Sequence, residues 1–248
     1  MTVLRHLSRV AMIPLAPVLF AQGRRLRRDT PRLPDAAQPW HGSVAGEHPL
    51  TLLVVGDSTA AGVGAETQDD ALPGHLARGL ADLTGRGVLW RAVGENGADA
   101  RELIERHLDD ANSGVSDVVF LSVGANDALG LRSRRGFGRD IRTILARLRA
   151  ASPDAVILVS SLPAFFRFAL LPQPLKWNLY LHSTSLEDEA REIAARTPGV
   201  HMSPPPPPYT DGFFASDLFH PSPQGYRDWA DFAIDDAVRS GALPPGRP

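Results

Sequence analysis

The stretch Leu50-Thr51-Leu52-Leu53-Val54-Val55-Gly56-Asp57-Ser58 decides the fold. It is short, apolar and partly β-branched, and it breaks at a glycine. That pattern predicts a strand buried on both faces. A strand of this kind belongs to a parallel sheet whose two faces are covered by helices. Moving outward, similar segments recur at Gly87–Val93, Asp117–Val123 and Ala155–Val159, with a shorter one at Val200–Met202. Segments with helical apolar spacing lie between and after them: Asp69–Leu83, Ala98–Leu108, Arg139–Ala150, Leu186–Arg196 and Pro223 to about Ser240. The last carries clear start signals, with Ser222 as N-cap and Pro223 at the first helical position. About five strands alternating with helices predict an α/β domain. Right-handed crossovers make it a doubly wound parallel sheet in three layers, α/β/α.

Composition narrows the class. The chain has 248 residues, 43% of them hydrophobic and 22% charged, which excludes disordered and fibrous proteins. A net charge of −2 argues against a general nucleic-acid binder. The absence of cysteine excludes a disulfide scaffold, a thiol nucleophile and cysteine-ligated metal. The charge is uneven, however. Residues 1–40 hold seven arginines against Asp29 and Asp35, a balance of +5 that leaves −7 for the remainder. Between the arginines runs an apolar segment, Val10–Ala21, interrupted by Pro14 and Pro17 and too short to span a bilayer. Basic residues on both sides suit peripheral contact of residues 1–28 with an anionic membrane surface. A solvated or core-docked extension is the plainer alternative. Thr30–Gly46, with three prolines, reads as a linker. The expected organisation is therefore an extension and linker over 1–46 and one folded domain over 47–248.

In open α/β sheets the ligand crevice lies beyond the carboxyl ends of the strands. The strand ends here carry Gly56-Asp57-Ser58-Thr59, Gly94-Glu95-Asn96-Gly97 and Gly124-Ala125-Asn126-Asp127, and a later loop holds Asp217-Leu218-Phe219-His220. These are the parts of an acyl-transfer site. Ser58 needs a base to become a nucleophile, and His220 can act as one near neutral pH. Asp217, three residues earlier, can hold the other ring nitrogen. Candidate oxyanion donors are the Ser58 and Gly97 N–H groups and the Asn126 amide. Gly94 competes with Gly97. Asp57 either orients the nucleophile turn or simply binds nearby N–H groups. Gly62 and Gly64 invite a phosphate-loop reading, but the Gly-Lys-Ser/Thr it requires is missing. The other seven histidines show no metal-binding spacing, so no metal site is expected.

Taken together and in this order, the four blocks resemble the SGNH (GDSL-type) serine hydrolases over Leu50 to about Tyr226. The name-giving residues would be Ser58, Gly97, Asn126 and His220. Thr59 stands where the family often has leucine. The segment Gly56–Gly64 looks most like actinobacterial members. The resemblance implies a flavodoxin-like fold and ester hydrolysis through an acyl-serine, with no metal or cofactor.

Pro163–Leu181 is unusually apolar and leaves the same rim. It is expected to be a lid or binding loop, with Phe165, Phe166, Phe168, Leu171 and Trp177 lining an acyl pocket or touching lipid; a core-packed helix and turn is the alternative. This apolar rim points to lipid or simple carboxylic esters as substrates, ahead of O-acetylated carbohydrate. A non-catalytic membrane-surface module on a hydrolase fold is a reading from a different class. The N-terminal composition favours a membrane-associated or cell-envelope location over the cytoplasm. The proline run Pro204–Pro208 is expected to stiffen the approach to the Asp217 loop.

Overall fold

A computed structural model describes residues 13–204 and 209–245. Arg5, Arg9, the start of the apolar run and residues 205–208 of the proline run lie outside the described residues. Among the described residues six strands form one sheet: β1 (His41–Val44), β2 (Leu50–Gly56), β3 (Val88–Gly94), β4 (Val118–Ser122), β5 (Val156–Val159) and β6 (Val200–Met202). Their spatial order is β1-β3-β2-β4-β5-β6. The last five strands in sequence are mutually parallel, in the doubly wound order of flavodoxin-like folds. The sixth strand is a correction to the expected linker. β1 pairs antiparallel with β3 and forms the sheet edge. Its sequence, His41-Gly42-Ser43-Val44, is too short and too polar to read as a strand, because an edge strand buries little.

Alternation along β2 divides the core. Leu52 and Val54 face one side, with Val118 and Phe120 of β4 and helices α2 (Leu72–Thr84) and α7 (Pro223–Arg239). Leu53 and Val55 face the other, with α3 (residues 100–111, containing a π turn at Leu103–His107), the short α4 (Ala125–Leu129), α5 (Arg134–Ala151) and α6 (Leu175–Ala194). The side chains of Leu52 to Val55 are almost wholly buried. Each such burial is worth roughly 1.5–3 kcal/mol, so the central strands anchor both layers.

Two further helices depart from expectation. α6 begins at Leu175, so the second half of the apolar rim segment is its first two turns, and only a 3-10 turn at Phe165–Arg167 and the loop after it remain irregular. The helix α1 (Ala16–Asp29) occupies the basic N-terminal segment. Pro17 lies in its first turn, where proline is tolerated. Leu19 and Leu26 pack against the core on the α6 side. The Gln22 amide clips the helix in place: its Nε2 donates to Gln173 O at 2.7 Å and its Oε1 accepts from Leu175 N at 3.2 Å. Among the described residues no helix is long and apolar enough to cross a membrane.

Candidate active site

The sheet order reverses between β2 and β4, because the chain leaves β2 for β3 on one side and then crosses to β4 on the other. Ser58 and Asn126 follow these two strands. Gly56 is required where they meet, since a Cβ there would run into the carbonyl of Ser122 on β4. Beyond it, Asp57 folds the nucleophile turn on itself. Its Oδ1 accepts the Thr59 N–H at 3.1 Å, and the Thr59 hydroxyl lies 3.1 Å from Asp57 Oδ1 and 2.7 Å from Ser122 Oγ. The Thr59 hydroxyl thus ties the turn to β4. Burial pushes the Asp57 carboxyl above its usual range, against the hydrogen bonds from Thr59.

His220 comes from a hairpin-like loop. Phe214 bridges Pro221, and Ala215 N donates to His220 O at 2.8 Å. Leu218, at φ 56, turns the chain through the left-handed region, which is unusual for a branched side chain. The turn lets Asp217 Oδ1 accept the N–H groups of Phe219 at 2.9 Å and His220 at 3.0 Å. Asp217 Oδ2 lies 2.6 Å from His220 Nδ1, and His220 Nε2 lies 3.1 Å from Ser58 Oγ. Burial raises the Asp217 carboxyl, but the imidazole and the two backbone donors outweigh it and hold its pKa below the ordinary value. The serine, imidazole and carboxylate form one continuous hydrogen-bonded line.

The two loops are locked to each other. Gly64, at φ 101, passes so close that a Cβ would collide with the Pro221 carbonyl. The buried Tyr226 hydroxyl donates to Val63 O at 2.7 Å. The Ser58 loop is therefore held from the side that carries His220.

On the opposite side, Gly97 sits at φ 91 in the turn leaving β3, with open space where a Cβ would be. Asp99 closes that turn with a capping box on α3, its Oδ1 accepting the N–H groups of Arg101 and Glu102. Gly94 serves packing instead: a Cβ would strike Gly56 O on the neighbouring strand. Asn126 Nδ2 donates to Ala98 O at 3.0 Å. This fixes the amide and leaves its second N–H for an incoming oxygen. Asp127 braces the same junction, its Oδ2 accepting the Ala100 N–H at 2.9 Å.

A small cavity of about 60 Å³ adjoins Ser58 and His220, walled by Phe168, Phe214 and Phe219. A larger cleft of about 900 Å³ reaches His220 and Asp217 from the α1 side and includes Leu171. Phe168 and Leu171 thus lie where the sequence suggested. Phe165, Phe166 and Trp177 do not line either space. Phe165 is wholly buried in the core, while Phe166 and Trp177 are half-exposed and pack on Tyr180 of α6. The helical register of α6 and the 3-10 turn set their directions. One residue near the site was not legible in any motif: Asp35, in the arm after α1, lies beside Asn96 and within electrostatic reach of His220. Burial, then Glu95, raise its pKa, opposed by Asn96 and His220.

Comparison with known proteins bears on the family and the fold. The model of the GDSL-like lipase/acylhydrolase family matches residues 54–227. The GDSL-like esterase Rv1075c of Mycobacterium tuberculosis (strain ATCC 25618 / H37Rv) is 28% identical over 214 residues, covering 81% of this chain and 66% of its own length. Among solved structures, a lipase from a goat rumen metagenome superposes with a TM-score of 0.58 at 15% identity, covering 80% of this chain and 99% of its own. A family 3 carbohydrate esterase of Clostridium thermocellum superposes with a TM-score of 0.56 at 17% identity, covering 79% and 100%.

Proposed function

The chain belongs to the GDSL-like lipase/acylhydrolase family, and on that premise we propose that it hydrolyses lipid or simple carboxylic esters through an acyl-serine at Ser58. The observation that carries this is the line Ser58 Oγ–His220 Nε2, His220 Nδ1–Asp217 Oδ2, at 3.1 and 2.6 Å. In the proposed mechanism His220 Nε2 takes the Ser58 proton as Oγ attacks the ester carbonyl. Ser58 N–H, Gly97 N–H and Asn126 Nδ2–H hold the oxyanion. The intermediate collapses, and the alkoxide leaves as an alcohol carrying the proton from His220. Water then attacks the acyl carbonyl, giving its proton to His220, and the acid departs as Ser58 recovers its hydrogen. Asp217, ionised and accepting from Nδ1–H, keeps the imidazole in the tautomer this requires.

The apolar walls beside the site support lipid or simple esters over O-acetylated carbohydrate, which is the second reading. A panel of p-nitrophenyl esters of increasing chain length, with a peracetylated sugar alongside, separates the two. The first reading expects turnover to persist or rise with chain length. Preference for the sugar with no long-chain turnover would favour the second. Ser58→Ala is expected to abolish hydrolysis while leaving the fold intact; undiminished turnover would refute the acyl-serine.

The same proposal extends to location. α1 turns Val18, Arg25 and Arg28 to solvent, and its neighbour Ile13 is exposed. An apolar and cationic face of this kind supports peripheral contact with an anionic lipid surface, hence a membrane-associated or cell-envelope site of action.

A further inference from the structure

The large cleft is not part of the Ser58 pocket described above, and half of its lining residues come from α1 and the residues flanking it, 13–33, which lie outside the family match at 54–227. Helical spacing gives α1 two faces. Leu19, Gly23 and Leu26 recur at i, i+4 and i+7 and face the cleft. Leu171, Leu175 and Leu179, from the loop before α6 and its first turns, form the facing wall. The cleft reaches His220 and Phe219, both of which it shares with the small cavity beside Ser58. Its volume of about 900 Å³ is at the upper end of what small-molecule sites enclose, whereas 60 Å³ beside Ser58 admits only a short group.

We infer that the N-terminal helix is the substrate-chain wall of this enzyme: the groove between α1 and α6 binds the hydrocarbon chain of a long-chain carboxylic ester whose carbonyl lies at Ser58. The occupant follows from continuity. A groove lined by leucines and ending on the imidazole that must contact the reacting ester suits the remainder of that ester. Arg24, Arg27 and Arg32 also line the groove, with the Arg24 guanidinium 5.7 Å from the Phe20 ring, so the lining is cationic as well as apolar. The Gln22 clip to Gln173 and Leu175 holds the two walls at a fixed separation.

Gly23 gives the test. A Cβ there meets nothing within 4 Å, so an added side chain starts in open space at a position that lines the cleft. Replacing glycine inside a helix also favours helix formation. The inference rests on the ester-hydrolase reading, and the experiment separates the two. Full-length wild type, Gly23→Ala, Gly23→Leu and Gly23→Trp are compared on p-nitrophenyl acetate, p-nitrophenyl decanoate and decyl acetate, the last two placing the chain on either side of the carbonyl. Thermal melts report folding. Wild type and Gly23→Ala are expected to cleave all three. Gly23→Trp is expected to keep acetate turnover within about twofold and lose at least about tenfold in kcat/KM on one of the long-chain esters, with Gly23→Leu in between. Equal loss on every ester in both folded variants overturns the inference, as does undiminished long-chain turnover in Gly23→Trp; in the latter case the long-chain ester reading survives. Wild type that cleaves the acetate but neither long ester overturns the inference and that reading together.

Discussion

The proposed mechanism gives the Asn126 amide two tasks: one N–H holds the Ala98 carbonyl, and the other would meet the oxyanion. Asn126→Ala is therefore expected to lower kcat by about 10²–10³ with little change in KM. A fall in KM-governed binding with kcat preserved would move the residue out of the oxyanion site. Its neighbour Asp127 is a different case. Burial raises its pKa to about 7, with the Ala100 N–H opposing the shift. A carboxyl raised on folding binds a proton that the unfolded chain has already released. Its contribution to stability is thus present below about pH 4 and is lost as pH rises towards 7, at up to about 1.4 kcal/mol per pH unit. Asp217 has the opposite sign: its lowered pKa gives stability above the ordinary carboxylate value, lost as pH falls through the folded one. Asp127→Asn is expected to flatten the pH dependence of Tm between pH 5 and 7, relative to wild type. An unchanged slope would assign that dependence to another group. Ser58, Asp217 and His220 were legible because nucleophile, base and carboxylate are distinctive residue types at strand and loop ends. Asp35 was not, since a lone carboxylate in a proline-rich arm has no spacing to mark it.

At the scale of elements, the central strands and α7 could be read because burial on both faces and a Ser-Pro start leave strong patterns. α1 and the first turns of α6 could not. In both, a proline stands at the helix start: Pro17, read as an interruption, lies in the first turn of α1, and Pro174 lies just before Leu175. The rule that placed Pro223 correctly applies to them, but aromatic and basic neighbours obscured the register. β1 was missed because an edge strand need not be apolar. The solvent face of α1 yields its own expectation. Arg25 and Arg28 do not line the cleft. Arg25→Glu with Arg28→Glu is expected to lower partition onto phosphatidylglycerol-containing vesicles at least about tenfold in sedimentation, and to leave turnover of p-nitrophenyl acetate unchanged. Equal pelleting of the double variant and wild type would remove this helix from the membrane contact.

In the whole molecule, segments separated by up to 162 residues meet at the point where the sheet order reverses. Packing holds them there: Gly64 against Pro221, Tyr226 against Val63, and Asn126 against Ala98. The alternation of strands and helices makes such a crevice readable from sequence, but not the cleft beside it, which needs α1 folded back across α6. Several hydroxyls crowd the crevice, since Ser122, Ser160 and Ser161 line the same small cavity as Ser58. Only Ser58 is hydrogen-bonded to an imidazole there. Labelling with a fluorophosphonate, followed by mass mapping, tests the central claim most directly. One adduct per chain is expected, on the peptide containing Ser58, absent from Ser58→Ala and strongly slowed in His220→Ala. No adduct, or an adduct on Ser122 or Ser160, would contradict it.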